Sequence, residues 1–371
     1  MDNLEAKLRA GMNERGIVGE GQEQIVQAIT SFALYGFPES HAASFALIAY
    51  ASAYLKAHHP TAFLISLLNA WPMGFYYPAT LVKDAQRHGV EVRPIDVNHS
   101  GWKCRYEAAD LRAGCRRRSN PPTPPGAARL GLRFVKGLRK QAGEAIEQHQ
   151  PFHDADDLTR RCHLQREELE ILAEIGALGS LGLTRRAALW QAAHVSRAAG
   201  PLFDKSLDAS PTSLEAAGLC AGRPEQAQPN PLPEMSAYEA TLADYAGSSM
   251  TTGPHPLQHL RASLDRHRVV PAAKLIHYPH GKLIRTAGSV TVRQRPGTAK
   301  GMLFLTLEDE TGMSQAIVSP DLLQKHRRLI VGSPGLVVEG KLQRRDGTLS
   351  VKAERFWRLA DLAAAPSHDF H

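Results

Sequence analysis

The chain has 371 residues, 43% hydrophobic and 22% charged, with a net charge of +7. Such a length suggests two or three domains, because single cores stop growing near about 250–300 residues. It holds no long apolar run, and residues 1–16 (MDNLEAKLRAGMNERG) lack the apolar centre of a secretory leader. A membrane span is therefore not expected, and the cytoplasm is the expected location.

Four cysteines, Cys104, Cys115, Cys162 and Cys220, match no zinc spacing and are expected as reduced thiols. No metal site is expected in this chain. Charge is unevenly distributed: residues 271–358 carry 15 basic and 7 acidic side chains, whereas residues 201–258 carry 2 and 7. The surplus of +8 in one block points to a polyanion-binding module beside a solvated connector.

In chain order, the first predicted elements are helical. Ser40 is placed to cap a helix that Pro60 closes. Phe45, Leu47, Ile48, Tyr50, Tyr54 and Leu55 cover most of its circumference, the pattern of a helix buried on every side. A second helix follows Pro60, and a third runs from Pro78 to Gly89, where glycine suits the left-handed position beyond a helix end. Short strands are expected at 90–92 and 102–106. Residues 119–126 (SNPPTPPG) hold four prolines and read as a linker.

Residues 127–200 repeat one theme. A glycine turn at 132–138 precedes a helix, and a second turn at 179–182 joins two more. This reads as a helix-hairpin-helix region, in which amides near Val135, Lys136, Gly137 and Leu138, and near Gly179 and Gly182, approach duplex phosphates. Two helical hairpins with ordinary turns is the other reading. Residues 201–258 read as an acidic, proline-rich connector.

Residues 259–360 switch to a period of two. Leu303, Leu305 and Leu307 alternate inward, as do Leu336, Val338, Gly340 and Leu342, and Asp346-Gly347 is a hairpin signal. Five strands, with a helix over 321–328 between the third and fourth, suggest an OB-fold β-barrel. The expected fold class is thus multidomain α+β. Arg285, Arg293, Arg295, Lys300, Lys341, Arg344 and Arg345 fall where such barrels hold single strands, and Phe304 faces away from Leu303 and Leu305 as a stacking platform. Phe356 and Trp357 are the other candidate platforms. A barrel whose basic surface serves only solubility stays open. Asp154, Asp156 and Asp157 read as helix capping, and Glu308–Glu310 as a corner between strands.

Residues 35–50 (YGFPESHAASFALIAY) and 54–60 (YLKAHHP) closely resemble the fingers region of C-family bacterial DNA polymerases. The run 72–94 (PMGFYYPATLVKDAQRHGVEVRP), continued by Asp96, Asn98, Ser100 and Trp102, is similar to the error-prone, damage-tolerant branch. The segment 252–257 (TGPHPL) keeps the family order before the barrel. The likeness covers nearly the whole chain and is weakest across 200–245.

The resemblance implies a fingers remainder over 1–118 and DNA-directed DNA polymerase activity in the intact enzyme. Family palms carry three aspartates on two metal ions, and this sequence has no matching constellation. Mg²⁺ is therefore expected at a palm the chain lacks, no cofactor is expected within it, and it is expected to be inactive alone. That makes it a piece of a longer protein, a split-gene product or an excised portion.

Primer-template duplex and single-stranded template are the implied partners, with a sliding clamp and other damage-tolerance proteins. The clamp would take Leu202 and Phe203. Nucleotide or template contact would fall to Tyr35, Ser40 and His41 near a helix N-terminus. For these three, a core aromatic, a simple cap and a buried histidine are the alternatives. The rival to the whole reading is a freestanding, non-catalytic DNA- or RNA-binding protein built from the same helix-hairpin-helix and OB modules.

Overall fold

The computed structural model describes residues 2–34, 39–74, 76–108, 126–194, 231–345, 347–359 and 368–370. They fall into two units, Met1–His59 and Pro60–His371.

The first unit holds α1 (Asp2–Asn13), α2 (Glu20–Leu34) and α3 (Glu39–His58). Arg9 joins α1 to α2 through Glu23 at 2.7 Å, and Met12 and Val26 are buried. The apolar circumference of α3, expected inside, is exposed here: Tyr50 is 72% accessible, and Phe45, Leu47, Ile48, Tyr54 and Leu55 are also open. A helix apolar on every side needs neighbours on every side, and three described helices are too few to enclose it. Because α3 begins at Glu39, Ser40 lies inside its first turn and not in front of it.

The second unit opens with α4 (Pro60–Asn69) and α5 (Pro78–Arg87), the latter with proline at its first position, where no amide partner is lost. Strands β1 (Val92–Arg93), β2 (Arg105–Ala108) and β3 (Gly126–Arg129) form a sheet with β3 in the centre. Four helices follow: α6 (Lys140–His149), α7 (Ala155–Cys162), α8 (Arg166–Glu174) and α9 (Arg185–His194). Asp154 caps α7 by accepting from the Asp157 amide at 2.7 Å.

Two expected boundaries dissolve in this unit. The proline-rich stretch, expected to divide 1–118 from 127–200, is flanked by paired strands: Ala108 pairs with Gly126 and Arg105 with Arg129. One apolar core then runs from Leu64 and Val82 through Leu132 and Ile146 to Leu178. Proline breaks local structure but is silent on whether the strands flanking it pair. Likewise, part of the expected connector is α10 (Ala237–Ser248), capped by Ser236 in a Ser-x-x-Glu box, with Met250 in the same core. Gly247 allows this approach: a Cβ there would lie 2.3 Å from Ile175.

Helix α11 (Pro256–Arg266) leads into the barrel. Strands β4 (Leu283–Gln294), β5 (Leu303–Glu308), β6 (Met313–Val318), β7 (Gly335–Arg345) and β8 (Thr348–Arg358) run in the order β5-β6-β8-β7-β4, and β4 pairs back onto β5 to close it. Helix α12 (Pro320–Gly332) sits between the third and fourth strands, as expected of an OB-fold. The alternating leucines and valines fill a second core, with Leu305, Leu307, Val338 and Leu342 fully buried. A short strand, β9 (His368–Phe370), adds to β4 in parallel.

Candidate nucleic-acid interface

The first hairpin presents one exposed corner. Val135 and Leu138 are buried and anchor it, while Lys136, Gly137 and Lys140 face solvent. Gly137 has φ of 78°, a left-handed conformation that only glycine adopts freely. The Val135 amide donates to Leu132 O, the Lys136 amide to Gly247 O at 2.8 Å and the Leu138 amide to Val135 O, so these three are not available to a phosphate. What remains is the Gly137 turn and the N-terminus of α6.

Glu168 positions that N-terminus. It is buried and accepts from the Arg139 amide at 2.9 Å, from the Arg139 guanidinium, and from the Gln165 amide that starts α8. Burial pushes its carboxyl up, but Arg139 and the two amides outweigh this and leave it below the usual carboxylate range.

The second hairpin departs from expectation. The amides of Gly179, Leu181 and Gly182 are used by neighbouring carbonyls, and that of Ser180 donates to Asp96 Oδ2 at 3.0 Å. A carboxylate thus occupies the place expected for a phosphate, and Gly179 and Gly182 shape a turn without offering a cradle. The sequence reveals the glycines but not an acceptor 84 residues away.

The family-like residues that follow Asp96 make structural contacts of their own. Asn98 exchanges two hydrogen bonds with the Phe152 backbone, Ser100 donates to Leu130 O, and Trp102 packs where a Cβ on Gly143 would lie 2.4 Å from its ring. All three brace the hairpins.

Helix α5 joins this helical body to the barrel. Lys83 is buried and donates to Gln86 and to Gly253 O, while Gln86 donates to Thr252 O. Burial pulls the Lys83 ammonium down to about 8, against the pull of Glu308 and Asp244. Arg87 reaches Glu308 at 2.6 Å, and Thr80 donates to the same carboxylate. His255 accepts from the Leu257 amide to cap α11, and burial lowers its imidazole to about 3. The 72–94 and 252–257 segments that carry the resemblance therefore meet at one polar junction. Of the corner carboxylates, Asp309 receives the amides of Ala272, Thr311 and Gly312, and Glu310 pairs with Arg261.

On the barrel, the register places Leu283, Lys341, Lys352, Ile317 and Phe304 in one row across β4, β7, β8, β6 and β5. Lys341 and Lys352 are exposed and Phe304 is half-buried. Lys352 and Ile317 were not among the sequence candidates; alternation along β6 and β8 was the signal. Arg295 and Lys300 lie exposed in the first loop and Arg345 beside the last. Arg344 is exposed too, although its guanidinium donates to Ile276 O and its amide to His280.

Other candidates are structural. Arg293 is buried and donates to Ile330 O and Ser333 O at the end of α12, serving a helix C-terminus. Arg285 is held by Glu339 at 2.5 Å and lies over the Trp357 ring. Phe356 belongs to the core and is no platform. Period-two counting names a face but not which charge turns inward to satisfy carbonyls.

Among the fingers candidates, His41 is exposed, its ring edge-on to Phe45 at 4.5 Å. Tyr35, the Ser40 side chain, Leu202 and Phe203 lie outside the described residues.

Residues 89–188 match the helix-hairpin-helix motif family, and residues 284–359 match the OB-fold nucleic acid binding domain. An error-prone DNA polymerase from Azoarcus sp. (strain BH72) is 45% identical over 100% of this chain and 33% of its own length. By sequence, the chain is similar throughout to part of the error-prone DNA polymerases. One from Anaeromyxobacter dehalogenans (strain 2CP-C) is 42% identical over 99% of the chain and 30% of its own length. The chain thus spans about a third of the curated relatives it matches. Among solved structures, asparaginyl-tRNA synthetase from Pyrococcus horikoshii is 27% identical over 26% of this chain and 24% of its own, with a TM-score of 0.21. Among the described residues, no helix is long and apolar enough to cross a membrane.

Proposed function

We propose that the chain is the DNA-gripping portion of an error-prone DNA polymerase that serves translesion synthesis and repair in the cytoplasm. The observation that carries this reading is one unit bearing both an exposed glycine hairpin and a basic row across an OB barrel. The hairpin would hold primer-template duplex by its backbone, and the barrel the single-stranded template. A sliding clamp and other damage-tolerance proteins belong to the same reading as partners.

Two-metal phosphoryl transfer needs carboxylates that converge on ions about 3.5–4 Å apart. The two acidic clusters here do not fit that task, since Asp154 caps a helix and Glu308, Asp309 and Glu310 are bound to Arg87, backbone amides and Arg261. Mg²⁺ would be held by carboxylates from outside this chain. The purified chain should therefore bind a primed template and add no nucleotide with Mg²⁺ or Mn²⁺. Metal-dependent extension of the primer would refute this.

The hairpin has its own test. Valine at position 137 would be forced to φ near 78°, with its Cβ 3.4 Å from Ile171. Strain of about 1–3 kcal/mol should distort the turn. Gly137→Val should then weaken duplex binding equally on unrelated sequences, because phosphate contacts carry no sequence information. Single-strand binding should be unchanged. An undiminished duplex affinity would make the hairpin a scaffold.

A further inference from the structure

Resting on the assignment of the barrel to single-stranded DNA, we propose that the barrel grips a strand at a second station, centred on Trp357 and separate from the Lys341–Lys352 row. Trp357 is 41% exposed on the outer face of β8, opposite Val337 in register. Val337 in turn faces Ala287, and both pack into a small core with Leu257 and Leu264 of α11, while the indole beside them stays open to solvent.

The ring is held in place before any ligand arrives. The Arg285 guanidinium lies 5.2 Å from its centroid, fixed in turn by Glu339 and by His267 O. An indole backed by a guanidinium is a sequence-tolerant platform, because every base has a π-face.

Charge around the ring suits a phosphate chain. Arg355 is exposed two residues from Trp357 on the same face of β8, and exposed Arg268 lies on the segment whose Val270 amide donates to Arg285 O. Facing them are Glu339, shared between Arg285 and Arg355, and exposed Glu354, while Asp265 pairs with Arg261. Three arginines, Arg268, Arg285 and Arg355, thus outnumber the two remaining carboxylates.

The two stations are distinct in space. Four residues of β7 separate Lys341 from Val337, about 13 Å at the usual strand rise. Two nucleotides of extended strand are shorter than that gap, so a dinucleotide on the lysine row would not reach the indole, and a longer strand would cover both.

The test uses the full chain with thymidine dinucleotide and with an oligothymidylate of about 16 nucleotides, the upper limit of what one OB-fold covers. Trp357→Ala should weaken the longer by about tenfold, the scale of one lost stack, and leave the shorter unchanged. Trp357→Phe should restore most of the loss. Replacing Arg268 and Arg355 with Ala should flatten the salt slope on the longer strand by about 1.4, two phosphates at about 0.7 each. Replacing Lys341 and Lys352 with Ala should weaken both lengths.

Equal losses on both lengths from Trp357→Ala, or no loss on the longer, would overturn the second station; in the latter case the ring would be left for a protein partner. If the parent binds neither oligonucleotide, the reading of the barrel itself fails and this station fails with it.

Discussion

Replacing Gly340 with valine is expected to abolish the fold of the barrel, and single-strand binding with it, while the helical body stays folded. A Cβ at position 340 would lie 2.1 Å from Lys352 O and 2.9 Å from the Ala353 Cα. Both are backbone atoms of the adjoining strand β8, next to the irregularity that separates Glu339 from Gly340, so neither can step aside as a side chain could. Overpacking a core costs about 1–3 kcal/mol when side chains adjust, and more is expected where only backbone can give way.

The body has a core of its own, from Leu64 to Met250, and should survive. Thermal unfolding followed together with limited proteolysis is the measurement. The variant should lose protection across 283–358 and keep it across 126–194. A barrel that stays protected would mean that β7 and β8 pair in a different register.

Arg87→Met is the second large effect, expected to cost about 3–5 kcal/mol because it strands a buried partner. Glu308 is 4% exposed and would lose its 2.6 Å ion pair, keeping the Thr80 hydrogen bond at 3.1 Å and the weaker pull of the Lys83 charge. Burial already raises the Glu308 carboxyl above its ordinary value, and Arg87 is the main force opposing that shift. Without Arg87 the carboxyl should rise further.

The pH dependence then has a definite sign. A folded-state value raised above the unfolded one means that the folded protein holds the proton more tightly. Stability is lost as pH rises through that interval. The deficit of the variant should therefore be larger at pH 8 than at pH 5. Adding Glu308→Gln should recover most of it and flatten the pH dependence. A deficit under about 1 kcal/mol, or one indifferent to pH, would show that this pair does not hold α5 to the barrel.

Local elements were legible along the chain because their causes are local. The inward leucines at 303, 305 and 307 follow from strand alternation, and the 335–358 hairpin from its Asp-Gly turn. Likewise, Gly89 ends α5 with φ of 84°, as its position after the helical run required. The helix between the third and fourth strands settled the barrel type from order alone.

The site was less legible. Lys341, Arg345 and Phe304 could be placed on an outer face by counting, and Gly137 on a turn. Arg293, Asp96 and Gly179 could not be sorted between function and scaffold, because their partners lie elsewhere in the chain.

What the sequence determined by itself is therefore the kind and order of the elements and the block that carries positive charge, since both depend on neighbours a few residues apart. Only the tertiary structure decided which polar groups are already taken. Thr80 and Glu308 meet across 228 residues, and Asp96 and Ser180 across 84. A buried donor or acceptor must find a partner wherever the fold brings one, and that demand, not periodicity, chose Arg293 for a helix end and left Lys352 free on the surface.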